Sequence, residues 1–155
     1  MARNTTQLSK EDYEVLAAFR YALRKFLRFS EEKAIEAGLT PQQHQALLAI
    51  KGFPQRERVT IGELAEQLQI VHHAAVELVD RLSAQKLVER QNDHEDRRKV
   101  FVKLSRTGSK ILEKLSAAHR QELRRLGPHI LPLLENLILD GGAKGGGVAN
   151  KSLAT

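Results

Sequence analysis

Two stretches of this chain carry side chains that could act on a polyanion. The first is His72, His73, Val76 and Glu77, on the outward half of a helical pattern that begins near Val71. Histidine can donate to guanine N7 or O6 or to a phosphate. Valine can touch a thymine methyl, and glutamate can accept from cytosine N4. Glu77 would also repel phosphates. Its spacing of four from Arg81 suits an ion pair, and the pairing role is the one we expect. The second stretch is residues 86 to 110, with eight Lys or Arg against four Asp or Glu. That local excess is two-thirds of the chain's net charge of +6, so the basicity is concentrated. A surface ion-pair cluster would contribute little. A run of cations on a hairpin points instead to holding phosphates.

The elements that must position these residues are legible around them. Thr60 followed by Glu63 suits a capping box, and Ile61, Leu64, Ala65 and Leu68 continue at helical spacing. Gln69 and Ile70 interrupt the pattern. A second helix is expected to place Val71, Ala75, Leu78, Val79 and Leu82 on one face. Two short helices around a tight turn are a helix-turn-helix candidate. Leu87 to Gln91 reads as a strand, Asn92 to Arg98 as a charged turn, and Lys99 to Leu104 as a second strand. In that second strand Val100, Val102 and Leu104 alternate with Lys99, Phe101 and Lys103. Helix-turn-helix plus a basic hairpin is a winged helix.

At these residues the sequence resembles the MarR family of winged helix-turn-helix transcription regulators. The matching pieces are IGELAEQLQI, then AVELVDRLSAQKLVER, then the DRR and LSRTG of the wing and the following helix. The likeness runs more loosely from about Tyr13 to Leu139. It implies a mainly α fold with a small β-hairpin wing, and a dimer reading a pseudo-palindromic duplex site with two recognition helices. It also implies a small aromatic or phenolic ligand, with the pocket residues unassigned. Thr60, His72, His73, Val76, Glu77, Arg81, Arg97, Arg98 and Lys99 are the candidate DNA contacts. In the resembled family a wing-tip Arg enters the minor groove beside an orienting Asp. That role maps onto Arg97 or Arg98, with Asp93 and Asp96 as orienters. The sequence departs from the family at Val71, where Ser usually caps the recognition helix, and at Ala74, where Thr is common. Lys86 replaces a helix-ending Gly, and Glu95 stands where a wing Arg is frequent. A protein–protein module on the same winged helix is the alternative, motivated by Glu77, Ala74 and Glu95.

Other function classes find little here. The chain has 155 residues, enough for one domain with a real core. It has no cysteine, so disulfides and thiol-based sensing are excluded. There is no Gly-rich phosphate loop, nucleophile elbow or recognisable carboxylate pair, and no enzyme or cofactor is expected. His72 and His73 lie about 100° apart on a helix and cannot easily share a metal. No H-E-x-x-H and no i,i+4 His pair occurs, so no metal site is assigned. No apolar run is long enough to span a bilayer, and the N-terminus lacks the apolar core of a signal peptide. A cytoplasmic location is the expectation.

Residues 9–37 and 107–139 are read as dimerisation helices, 38–106 as the DNA-binding lobe, and 140–155 as a flexible Gly-rich tail. Residues 1–8 read as loose. Ser9 and Asp12 suit the start of the first long helix, whose Val15, Leu16, Phe19, Ala22, Leu23, Phe26 and Leu27 form a broad apolar face. Arg20, Arg24, Lys25 and Arg28 lie along the same helix and read as a solvated or salt-bridged face. Such surplus apolar surface is most readily buried against a second copy. Gly38 ends that helix, and Thr40-Pro41-Gln42-Gln43 starts the next. Gln55 to Arg58 reads as a charged loop. Gly127-Pro128 is expected to break the long helix after the wing, leaving a separate last helix from Leu131 to Leu139. Phe19, Phe26 and His44 lie near where a ligand pocket would fall, each expected to be core.

Overall fold

The computed structural model describes residues 7–139. The tail from residue 140 and the first six residues lie outside the described range. Five helices and three strands follow in the order α1 (Lys10–Glu36), α2 (Pro41–Lys51), β1 (Arg58–Thr60), α3 (Ile61–Leu68), α4 (His72–Ala84), β2 (Val88–Asn92), β3 (Val100–Leu104) and α5 (Arg106–Ile138). The expected mainly α architecture with a small β wing is what forms.

Capping residues set most boundaries. Ser9, Thr40 and Thr60 each accept a hydrogen bond from the amide three residues on, and Asp12, Gln43 and Glu63 in turn accept from the cap's own amide. At Asp12 these bonds from Ser9 hold the carboxyl below its usual range. Gly38 takes φ +80 after α1, a conformation that glycine adopts without penalty. Lys86 does the same at φ 59 after α4, with a side chain that makes the conformation costly. It is the backbone path expected where Lys replaces a helix-ending glycine.

The core sits in the lobe between α2, α3, α4, the sheet and the start of α5. Leu47, Ile50, Leu64, Leu82, Val59, Val79 and Val102 are its fully buried side chains. The sheet order is β1-β3-β2, antiparallel throughout. Val59 faces Val102 and Val88 faces Leu104, so one sheet face is apolar and packs on the helices. The third strand is a difference from the sequence expectation: Gln55 to Arg58 reads as a loop and Thr60 as a cap, yet Val59 and Thr60, both β-branched, pair with β3 before Thr60 caps α3. Ser105 caps α5, accepting from the Gly108 amide at 3.0 Å, and donates to the Lys86 carbonyl at 2.7 Å. A Cβ on Gly108 would lie 2.1 Å from the Leu87 carbonyl oxygen, so α5 starts in backbone contact with the wing.

Two expectations fail. The helix after the wing does not end at Gly127-Pro128; α5 runs unbroken through Pro128 and Pro132 to Ile138. The prolines stand four apart, so both missing amides lie on one side of the helix, and the other backbone bonds together with the buried Leu126 carry it through. Val71 does not join the buried face of α4. It is the N-cap, 72% exposed, while Ala75, Leu78, Val79 and Leu82 are buried as expected.

Outside the lobe, α1 packs along α5 and both leave much apolar surface open. Tyr13, Leu16, Leu23 and Leu27 form an exposed stripe on α1, and Leu123, Leu131, Leu137 and Ile138 are exposed on α5. No described helix is long and apolar enough to cross a membrane.

Candidate nucleic-acid interface

Helix α4 stands on α3 across a turn of three residues, Gln69 to Val71. Gln69 adopts a left-handed conformation at φ 54, and the Ile70 amide returns to the Ala65 carbonyl at 3.0 Å. Leu64 and Ala65 of α3 and Ala75, Leu78, Val79 and Leu82 of α4 are buried, leaving the other face of α4 outside. His72, His73, Glu77 and Asp80 are exposed on it, and Val76 is half-buried. Val71 offers no side-chain acceptor to the first turn of α4, as its apolar side chain predicts.

Glu77 does pair, but with another residue than expected. Its Oε1 lies 3.3 Å from His73 Nε2, an ion pair whenever that imidazole is protonated. Arg81 is exposed and makes no ion pair among the described residues. The side chains one turn towards the N-terminus are nearer to Glu77, because helical side chains lean that way. Thr60 is occupied by its capping box. Its amide donates to Glu63 Oε2 at 2.8 Å and its Oγ1 accepts from the Glu63 amide at 3.2 Å. Arg56 also bonds Glu63. Partial burial works against ionisation of Glu63, but the bonds from Thr60 and Arg56 outweigh it and hold the carboxyl below its usual range.

The wing loop spans residues 93–99. It is closed by the Asp93 amide on the Lys99 carbonyl at 3.0 Å and the Lys99 amide on the Asp96 carbonyl at 2.9 Å. The two candidate orienting aspartates divide their work. Asp96 Oδ1 accepts from the Arg98 amide at 3.0 Å and lies 3.8 Å from Arg98 Nε. Asp93 accepts from the Glu95 amide and touches neither arginine. Of the two arginines Arg98 is the one that Asp96 meets, and its side chain is 96% exposed. Arg97 and Lys99 are exposed and make no ion pair among the described residues.

Not every wing cation is available. Lys103 pairs with Glu89 across the strands at 3.6 Å. Arg90 bonds Asp80 of α4 and donates to Ser83 Oγ at 3.2 Å. The sequence reading counted both only as charge. The alternation of β2 carried the missed signal, because it puts Arg90 on the same sheet face as Val88. On the outer face, the half-buried Arg56 and Arg58 lie over aromatic rings. Arg58 sits 4.2 Å from the Phe101 centroid and Arg56 4.7 Å from that of Phe53. This cover explains why Phe101 is buried although it points away from the core valines.

A third site lies where α1, α2 and α5 meet. The buried His44 of α2 packs against His119 of α5 with ring centroids 4.7 Å apart and planes inclined by 41°, and Phe26 and Phe29 of α1 meet His119 edge-on. His119 Nδ1 lies 2.6 Å from the Leu115 carbonyl, which can only accept, so Nδ1 carries the proton; Ser30 Oγ then donates to Nε2 at 2.7 Å. Burial, and secondarily the neighbouring His119, push the His44 pKa down. Nearby, a groove of about 430 Å³ between α1 and α5 is lined by Phe29, Lys33, Ala118, Gln121, Glu122 and Arg125. Among the described residues no three His, Asp or Glu are grouped to hold a metal.

A helix-turn-helix backed by a three-stranded sheet, with a basic hairpin beside the recognition helix, defines the winged-helix class. The profile of the MarR family matches residues 37–99, the lobe that holds this site. A Bacillus subtilis protein described as an uncharacterised HTH-type transcriptional regulator, YsmB, is 26% identical over 121 residues, covering 76% of this chain and 81% of that one. AbsC, a MarR family transcriptional regulator from Streptomyces coelicolor, superposes with a TM-score of 0.68 at 20% identity, covering 85% of this chain and 92% of that one. A mutant of MepR from S. aureus, solved bound to an oligodeoxyribonucleotide, gives a TM-score of 0.61 at 20% identity, covering 86% and 96%. Residues 37–99 of this chain thus resemble the MarR family, and the whole described chain shares the fold of solved MarR-family regulators.

Proposed function

We propose that this chain is a transcription regulator of the MarR type, a homodimeric repressor that reads a pseudo-palindromic duplex site. His72, His73 and Val76 meet base edges in the major groove, and Arg97, Arg98 and Lys99 grip the flanking minor groove and phosphates. The observation that carries this reading is the wing tip, where Asp96 meets an almost fully exposed Arg98 between two unpaired cations. The DNA-bound MepR relative supports it through the shared fold. The dimer rests on the open apolar stripes of α1 and α5, which one chain leaves uncovered. The groove beside Phe29 has an aromatic wall that suits a small aromatic ligand, the class of effector proposed here.

Selection from random duplexes, then titration of the winning site at two salt concentrations, tests the reading. The expected result is an enriched inverted repeat with a steep salt slope, since phosphate contacts release counterions. Arg98→Ala weakens binding to all sequences, while His73→Ala changes the selected sequence. The acidic side chains Glu77, Asp80 and Glu95 favour a second reading, a protein-binding winged helix; binding to no duplex at low salt would select it.

A further inference from the structure

Arg90 is the one charged side chain that the sheet register places on the core-facing side. Its strand partner across the ladder is Val102, and its neighbours on that face are Val88 and Asn92. From there the guanidinium reaches α4. One nitrogen bonds Asp80 and another donates to Ser83 Oγ at 3.2 Å. Asp80 and Ser83 stand three apart on α4, so a planar fork from β2 spans adjacent turns of the recognition helix. Asp80 also lies seven residues beyond His73 and three beyond Glu77, on the face that the proposed function turns towards DNA. A bare carboxylate there would repel phosphates.

We infer that Arg90, Asp80 and Ser83 form a brace that sets the angle between wing and recognition helix, making Arg90 a positioning residue and not a phosphate contact. This rests on the DNA-reading function proposed above. The hairpin otherwise meets α4 through apolar contacts, which slide at little cost, whereas two hydrogen bonds from one guanidinium fix direction as well as distance. The wing tip lies beyond the brace, so a small rotation at β2 displaces Arg97 and Arg98 from the groove that α4 selects.

Electrostatics alone and the brace make opposite predictions for Asp80. Removing a carboxylate from a DNA-facing surface strengthens binding through the simple charge effect. Loss of the brace weakens it. The experiment compares Asp80→Ala, Arg90→Ala and the double variant on the selected duplex, with protection of the flanks and of the central grooves followed separately. We expect each single variant to lose about three- to ten-fold in affinity, the double to lose no more than either, and the loss of protection to be confined to the flanks. The salt slope stays at its wild-type value, because no phosphate contact has gone. Tighter binding by Asp80→Ala overturns the brace, and so does a slope reduced by about one in Arg90→Ala. Amide exchange in the free protein separates this from failure of the DNA reading. If the wild type binds no duplex, faster exchange of β2 and β3 in both single variants still sustains the brace, and unchanged exchange removes it.

Discussion

The lobe and the two long helices treat their apolar side chains in opposite ways. In the lobe, Leu47, Ile50, Leu64, Leu82, Val59, Val79 and Val102 are closed off within one chain. Along the 27 residues of α1 only Ala34 is buried, and along the 33 of α5 only Gly108, Leu112, Leu115 and Leu126. The difference teaches that the lobe's core is complete in a single chain, while the two long helices leave apolar faces open, as the proposed dimer requires. On that proposal the stability of the first is intramolecular, while that of the second depends on protein concentration.

The largest effect should come from breaking the open side of that contrast. Leu16→Glu with Leu27→Glu puts two charges on the exposed stripe of α1. The expected outcome is a monomer by sedimentation, where the wild type sediments as a dimer whose melting temperature rises with concentration. A wild type that is monomeric at high concentration would refute the interface. Next in size, Leu47→Ala opens the closed side. Its cost is about 2–5 kcal/mol in chemical denaturation, and it should appear equally at low and high protein concentration.

A smaller gain is expected at the start of the recognition helix. Val71→Ser supplies the missing cap and should stabilise the lobe by about 1 kcal/mol. Because the added hydroxyl competes for the first-turn amides of α4, duplex affinity read alongside stability shows whether those amides meet DNA. The smallest effect is a pH slope at the junction between the two regions. A buried base with its folded pKa below the unfolded value of 6.5 costs nothing at higher pH. Below that value the unfolded chain takes up a proton that the folded chain resists, and stability falls. Denaturation midpoints should therefore drop between about pH 7.5 and about pH 5.5, less so in His44→Gln. Glu63 answers in a separate window. Its lowered pKa stabilises the fold above 4.5, and that contribution disappears only as pH falls below this value.

Much of the lobe was legible in the sequence because its signals are local. Capping boxes at Ser9, Thr40 and Thr60 fix helix starts within three residues, and hydrophobic periodicity fixes which face is buried. The illegible parts depend on residues far apart in the chain. β1 is three residues long and becomes a strand only because β3 lies beside it. Pro128 reads as a stop in any single window, yet α5 continues. At the site, the exposure of His72, His73 and Arg98 followed from pattern. That Thr60 is occupied by its cap, Glu77 faces His73, and Arg90 is held by α4 did not, since each turns on side-chain direction between competing partners.

The unbroken α5 has a mechanical consequence. At 1.5 Å per residue its 33 residues make a rod of about 50 Å. One end is pinned by Gly108 against the Leu87 carbonyl, with no room for a methyl group. The other end carries the exposed Leu131, Leu137 and Ile138. Tilting such a rod by about 5° moves its far end by about 4 Å, with no residue rearranged along its length. The wing and the remote apolar surface are thus joined by one continuous helix, along which a change of tilt at one end would reach the other without any rearrangement between.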